Sequence, residues 1–250
     1  MDIDDKKPED VLKPEFVQQY KELHKKIWHR LVETNTTIAI LEKIQSFPFH
    51  RFYSPNENIF WTSVYWNFLD ILTINIHTIV KKTCKKDEHT LPKFVGNVHE
   101  WLQDSEKVEY SQNLKEVKFD QTTENIRKKI TDIRDKTIAH RLFDEQNHLI
   151  EPDGVKVSEI RSLYDATEEL FRACSFGAEY VTTLYIEGTC GGKPIEKDID
   201  HILDLIVKDS YWLNEPERNQ QFWQICKTTK SSEEILELNQ WRKKFGMPEV

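Results

Sequence analysis

The chain has 250 residues, 38% of them hydrophobic and 31% charged, with a formal net charge of −8 at neutral pH. That balance suits one sizeable globular domain, or a domain with an appendage, and excludes a global basic footprint for nucleic acid, so an RNA-binding surface has to be a local patch. The four cysteines (Cys84, Cys174, Cys190, Cys226) are scattered with no CxxC pair, which excludes a zinc pattern and a small disulfide framework and suits a reducing cytoplasm.

Seven Gly and nine Pro leave long stretches free of both, while Ile, Leu, Glu and Lys recur at helical spacing. The expected class is all-α, an up-and-down helical bundle with a smaller helical C-terminal extension. The opening MDIDDKKPED is polar and carries no signal-peptide pattern, so residues 1–13 read as a flexible tail. A long helix is expected from Pro14 to Ser46, with Phe16, Tyr20, Leu23, Ile27, Leu31, Thr34, Ile38 and Leu41 as its stripe. Pro14 suits a first turn and Pro48 stops the helix.

After an aromatic loop, Phe47 to Asn58, comes a second long helix, Asn58 to Cys84. It is apolar nearly all round and about long enough to span a bilayer, but Asn67, Asp70, Asn75 and His77 interrupt it. Such groups are costly in lipid, so the expectation is a soluble protein with this helix at its centre, covered on most sides, its polar exceptions finding partners or a cleft. The closing run Lys81, Lys82, Lys85, Lys86 complements the helix dipole, a reading preferred over an RNA contact.

Thr90 can cap a short helix carrying Phe94, Val98, Trp101 and Leu102 inward. The stretch Gln121 to Asp144 then reads as one helix whose seam is Ile126, Ile130, Ile133, Thr137 and His140. A loop with the turn Pro152-Asp153-Gly154 precedes another helix, capped by Ser158 and running to about Glu187, with Ile160, Tyr164, Leu170, Phe171, Cys174, Val181 and Leu184 inward. The Gly-rich stretch Thr189 to Pro194 lacks Walker spacing and reads as a linker. Three helices are expected beyond it: Ile195–Lys208, Glu215–Lys227, and Ser232–Phe245 with Ser231 and Glu234 at capping-box spacing. Their aromatics, Tyr211, Trp212, Phe222, Trp223 and Trp241, either dock this extension on the bundle, the preferred reading, or form a partner surface.

No metal-ligand or nucleophilic-triad motif stands out, and no cofactor is expected. The residues that look like chemistry are Arg134 and His140. On an α-helix, six residues separate two side chains by about 120° and roughly 9 Å, so one copy does not stack them; arginine can curl toward histidine, or a second copy of the helix can supply the complement. A histidine can move a proton near neutral pH, a guanidinium can hold phosphate oxygens, and RNA brings its own 2′-hydroxyl nucleophile. A structural role is open for both: Arg134 pairing with Asp135 or Glu124, His140 as a satisfied histidine ending a core stripe. From Lys115 to Arg141 eight Lys or Arg stand against five Asp or Glu, a local basic patch in which Arg127, Lys136 and Arg141 are candidate substrate contacts.

The segment RDKTIAHR, Arg134 to Arg141, resembles the signature of the HEPN superfamily, helical domains of prokaryotic toxins, abortive-infection proteins and related nucleases. The family pattern is an arginine, a polar residue, and a histidine four to six positions after the arginine. RDK followed by AH is similar to the abortive-infection branch, in which an aromatic-rich helix and a segment like HTLPKF precede the motif. The resemblance covers roughly residues 14–188. It implies a bundle of four or five helices that dimerises through the motif helix to form one composite cleft. It further implies Arg134 and His140 as the functional pair, Asp135 as the orienting polar position, and metal-independent RNA cleavage leaving a 2′,3′-cyclic phosphate. An antitoxin or sensor protein is an expected partner. The rival expectation is a non-catalytic scaffold of the same fold, acting through its aromatic extension from Thr189 onward.

Overall fold

The computed structural model describes residues 6–47, 59–82, 89–135, 154–177, 189–190 and 193–250. The fold is all-α. Its helices are α1 (Pro8–Val11), α2 (Val17–Ser46, entered by a 3-10 turn at Pro14–Phe16), α3 (Ile59–Val80), α4 (Leu91–Trp101), α5 (Lys107–Val117), α6 (Phe119–Ile133), α7 (Val157–Ala173), α8 (Ile195–Asp209), α9 (Tyr211–Arg218), α10 (Trp223–Thr229) and α11 (Ser232–Lys244). No helix among the described residues is long and apolar enough to cross a membrane.

The stripe on α2 is buried from Tyr20 to Leu41, and α2 packs against α3, α7 and α8 while α6 lies across α7 and α3. Two apolar clusters result. The larger one collects the middle of α2 and the second half of α3 with α4, α6 and α7. The smaller one collects Ile44, Phe47, Leu203, Val207, Trp212, Leu213, Trp223 and Leu238, with Ile40, Trp61 and Val64 against it. The helices α2 and α3 therefore run through both clusters.

Several expectations need correction. The polar tail is not wholly loose: Val11 and Leu12, an apolar pair within it, are buried, and the backbones of Lys13 and Gln103 bond to Trp101 and Val11 at 2.9 and 3.0 Å. The helix α3 is not covered on most sides. Phe60 and Trp66 are 66% and 58% exposed, and Ile71 and Ile74 also face out, on the same side as Asn67 and Asp70. Asn67 and Asp70 thus mark a solvent face rather than defects in a central rod, while His77 is buried. The helix α5, with Tyr110 buried and Leu114 and Val117 packed on the core, has no counterpart among the expected elements.

The motif helix starts at Phe119, two residues early, and its α-helical part ends at Ile133 in a π-helical turn at Arg134 and Asp135. The helix α7 stops at Ala173, well short of Glu187. The Tyr20 hydroxyl takes over the freed backbone there, donating to the Cys174 carbonyl at 3.0 Å and accepting from the Phe176 N–H at 3.0 Å, and Gly177 turns the chain away at φ 91°. Within the Gly-rich stretch, Thr189–Cys190 pairs antiparallel with Lys193–Pro194. The expected helix Glu215–Lys227 is two helices, α9 and α10. Ser210 caps the first by accepting from Leu213 N–H at 3.2 Å, and Asn219 binds across to Cys226 Sγ at 3.1 Å. Thr90 and Ser231 cap α4 and α11 as expected, accepting from Lys93 and Glu234 N–H groups at 3.3 and 3.1 Å.

Candidate functional site

The amphipathic α6 buries Phe119, Thr123, Arg127 and Ile130. Lys129 ties it to α7 by an ion pair with Glu159 at 3.1 Å, and its opposite side leans on α3. Between α3 and α6 lies a cleft of about 290 Å³, lined from α3 by His77 and Val80, from the residues after it by Lys81 and Lys82, and from α6 by Glu124, Arg127, Lys128 and Thr131. Four cations against one carboxylate make this a positive cleft in an acidic chain, suited to an anion.

Arg127 is only 9% exposed. Its Nη2 donates to Asp120 Oδ1 at 2.6 Å and its guanidinium stacks 5.1 Å over the Phe119 ring. Its Nε is buried with no hydrogen-bond partner among the described residues. Burial pushes the Asp120 carboxyl up, but hydrogen bonds from Arg127 and Lys82 outweigh it and hold the group below its ordinary range. Asp120 is therefore ionised and committed to the cations beside it.

Arg134 sits just past the cleft, in the π-helical turn that ends α6. Such turns widen the helix and re-aim side chains, and they recur at functional sites. Its Nη2 donates to His77 Nε2 at 3.4 Å, its Nη1 pairs with Asp135 Oδ1 at 2.9 Å, and its Nε is buried without a hydrogen-bond partner among the described residues. Two of its three nitrogen positions are thus engaged from within the fold, and the Asp135 contact is the carboxylate pairing that the sequence allowed for.

Of the candidate residues, the structure brings Arg134 and Asp135 into contact and sets Arg127 in the adjoining cleft. Lys136, His140 and Arg141 lie outside the described residues, as do Thr137 on the expected seam and the turn at Pro152. The angle was calculated for an unbroken α-helix, whereas Arg134 and Asp135 lie in a π-helical turn.

Sequence reasoning named His77 only as a polar exception in need of a partner or a cleft, did not single out Lys128, and read Lys81 and Lys82 as helix-end charges. The signal was there: His77 and Lys81 are four residues apart, hence on one face, and a buried histidine inside an apolar helix needs a partner. Among the described residues, no group of three or more His, Cys, Asp or Glu is placed to hold a metal ion.

No protein-family model matches the chain, and no curated protein and no solved structure is significantly similar to it.

Proposed function

We propose that this chain is a metal-independent endoribonuclease of the HEPN type, a toxin or anti-phage defence effector of the cytoplasm. The observation that carries the reading is the position of Arg134, beside a cleft lined by Lys81, Lys82, Arg127 and Lys128. A phosphodiester running along that cleft meets cations from α6 and from the residues that follow α3, and Arg134 reaches its scissile phosphate. His140 removes the proton from the 2′-hydroxyl, whose oxygen attacks phosphorus, and Arg134 neutralises the charge that grows on the phosphoryl oxygens. The 5′-oxygen leaves with a proton donated by the His140 imidazolium, giving a 2′,3′-cyclic phosphate and a 5′-hydroxyl end. Asp135 orients Arg134, and Lys136, Arg141 and Arg127 hold flanking phosphates. Two copies meeting through the motif helix complete the site, and an antitoxin or sensor protein restrains it.

The deciding experiment is incubation of the purified chain with total cellular RNA in EDTA, beside Arg134→Ala and His140→Ala. Cleavage by the parent alone supports the reading. Cleavage that survives His140→Ala, or no cleavage by the parent on any RNA offered, overturns it.

A second reading has its own observation. Tyr211 and Ile225, on α9 and α10, and Phe222, just before α10, are 56%, 65% and 57% exposed, while Trp212 and Trp223 are buried in the smaller cluster. The exposed trio fits a scaffold that binds a protein partner through its C-terminal helices. Loss of a co-purifying partner in a Tyr211→Ser, Phe222→Ser variant that still cleaves RNA normally would assign that surface to regulation instead of replacing the nuclease reading.

A further inference from the structure

A cavity of about 570 Å³ lies among the C-terminal helices, beyond the stretch that resembles HEPN domains. Its size falls within the range of small-ligand pockets, roughly 300–1,000 Å³. Lys208 and Asp209 line it from the end of α8, and Asn214, Glu217 and Arg218 from α9. Phe245, which closes α11, and Met247 in the tail complete it. The fully buried Arg242 holds two of these walls in place. Its guanidinium grips Glu217 at two points. Its Nε donates to the Pro248 carbonyl at 2.7 Å, and its own carbonyl accepts from the Met247 N–H at 2.8 Å. A buried ion pair gains little stability over apolar packing of the same volume. What this one adds is a fixed carboxylate and a fixed tail at the edge of a cavity.

The lining carries both signs of charge. Arg242 balances Glu217, which leaves Lys208 and Arg218 facing Asp209. Among the described residues, these three side chains make no hydrogen bond or ion pair; the Arg218 guanidinium lies 5.9 Å over the Tyr211 ring. Asn214 spends its two amide hydrogens on the carbonyls of Lys208 and Ser210, each at 2.9 Å. What it offers a ligand is therefore its side-chain oxygen, an acceptor. Two cationic donors and three acceptors thus surround an apolar patch made by Phe245 and Met247.

A bare anion entering here meets Asp209 and Glu217. A metal cation meets Lys208 and Arg218. A purely apolar ligand strips water from all four and returns nothing for it. We propose that this cavity binds a free α-amino acid with a large apolar or aromatic side chain. Its carboxylate lies against Arg218 and Lys208, and a guanidinium fork matches a carboxylate at two points. Its ammonium has three hydrogens to give, and Asp209, Asn214 and Glu217 are the acceptors. Its side chain covers Phe245 and Met247. Both signs of charge and the apolar patch are then used at once. Binding here does not depend on whether the chain cleaves RNA.

The test is titration calorimetry of the full chain with L-phenylalanine, L-leucine, L-methionine, L-tryptophan, L-glutamate and glycine, and with the N-acetyl and carboxamide forms of the tightest binder. One of the four large apolar amino acids is expected to bind best, at least about tenfold more tightly than glycine. Each blocked form is expected to lose at least about tenfold, because acetylation removes the ammonium and amidation removes the carboxylate. The N-acetyl form also stands in for the C-terminus of a peptide, so it separates a free amino acid from a peptide end. Arg218→Gln and Asp209→Asn each weaken the amino acid several-fold, while Arg134→Ala leaves it unchanged. Both positions are exposed, and thermal melts confirm that the two variants fold; the blocked ligands test the same contacts on the parent chain. The proposal is overturned if none of these amino acids binds, if glycine or glutamate binds best, if either blocked form binds as tightly as the free amino acid, or if both variants keep the parental affinity.

Discussion

Arg134 and His77, 57 residues apart in sequence, meet at 3.4 Å, with Arg134 Nη2 donating and His77 Nε2 accepting. A guanidinium carries only donors, so the histidine nitrogen serves as the acceptor of this contact. His77 thus acts as a buried stop that fixes the reach of Arg134. His77→Leu removes the stop and is expected to lower kcat for RNA cleavage by about a hundredfold, the cost of a misplacement near 1 Å, with little change in KM. His77→Gln keeps an acceptor and should recover part of the rate. Unaltered turnover in His77→Leu would remove His77 from the mechanism.

The cleft cations make a quantitative demand on salt. With Lys81, Lys82 and Lys128 each neutralising one phosphate of a single strand, these three contribute about 2 to the magnitude of the slope of log Kd against log salt, at roughly 0.7 per phosphate. Lys82→Glu together with Lys128→Glu should lower the total magnitude by at least about 1.4. Fluorescence anisotropy of a labelled 2′-O-methyl RNA across a potassium chloride series measures it. A double variant with the parental slope would place the RNA elsewhere.

His24 makes the bundle sensitive to acid. The Ser175 hydroxyl donates to the Phe171 carbonyl at 2.8 Å, so the 2.9 Å contact between His24 Nε2 and Ser175 Oγ has the histidine as donor. Burial pushes the His24 pKa down to about 3. In the unfolded chain the ring takes a proton below about pH 6.5, while in the fold it does not until about pH 3. Stability from this residue is complete above about pH 7 and falls as pH drops, by about 2 kcal/mol at about pH 5. Urea unfolding at those two pH values reads the difference, and His24→Gln should flatten it.

Arg242 is fully buried. Its Nε donates to the Pro248 carbonyl at 2.7 Å and its Nη1 to the Leu213 carbonyl at 2.8 Å, and its guanidinium forms a two-point pair with Glu217. Glu217 is partly exposed, yet Glu217→Ala should destabilise the chain by about 3 kcal/mol, because it strands a buried charge. Glu217→Gln should cost less. The hydrogen bond from Arg242 holds the Glu217 carboxyl below its ordinary range, so this contribution is present above about pH 4.5 and is lost as pH falls through the lowered value. Thermal melts of the three chains at neutral pH check the order.

Periodicity carried much of the fold. The stripe of α2 and the caps Thr90 and Ser231 stand in the structure where their spacing placed them, because each depends on neighbours within a turn or two. What spacing could not carry were features fixed by distant partners. The end of α7 depends on Tyr20, at the other end of the chain. The open face of α3 follows from which helices are available to cover it, and an apolar count cannot supply that. The site was half legible. Arg134 and Asp135 came from the motif, whereas His77 announced itself only as a polar residue in need of a partner. The partner turned out to be the arginine of that motif.

Because α2 and α3 thread both apolar clusters, the C-terminal helices are not a detachable module. Ile40, Ile44, Trp61 and Val64 share the smaller cluster with residues from α8 onward. During synthesis those ends of the two longest helices stay bare until the helices that cover them have left the ribosome, and a chain cut after Gly188 keeps them bare for good. Such a fragment presents a sticky apolar end that the intact protein never shows. Its behaviour would then report aggregation or chaperone capture, and the function of the C-terminal helices has to be read from point substitutions on their exposed side.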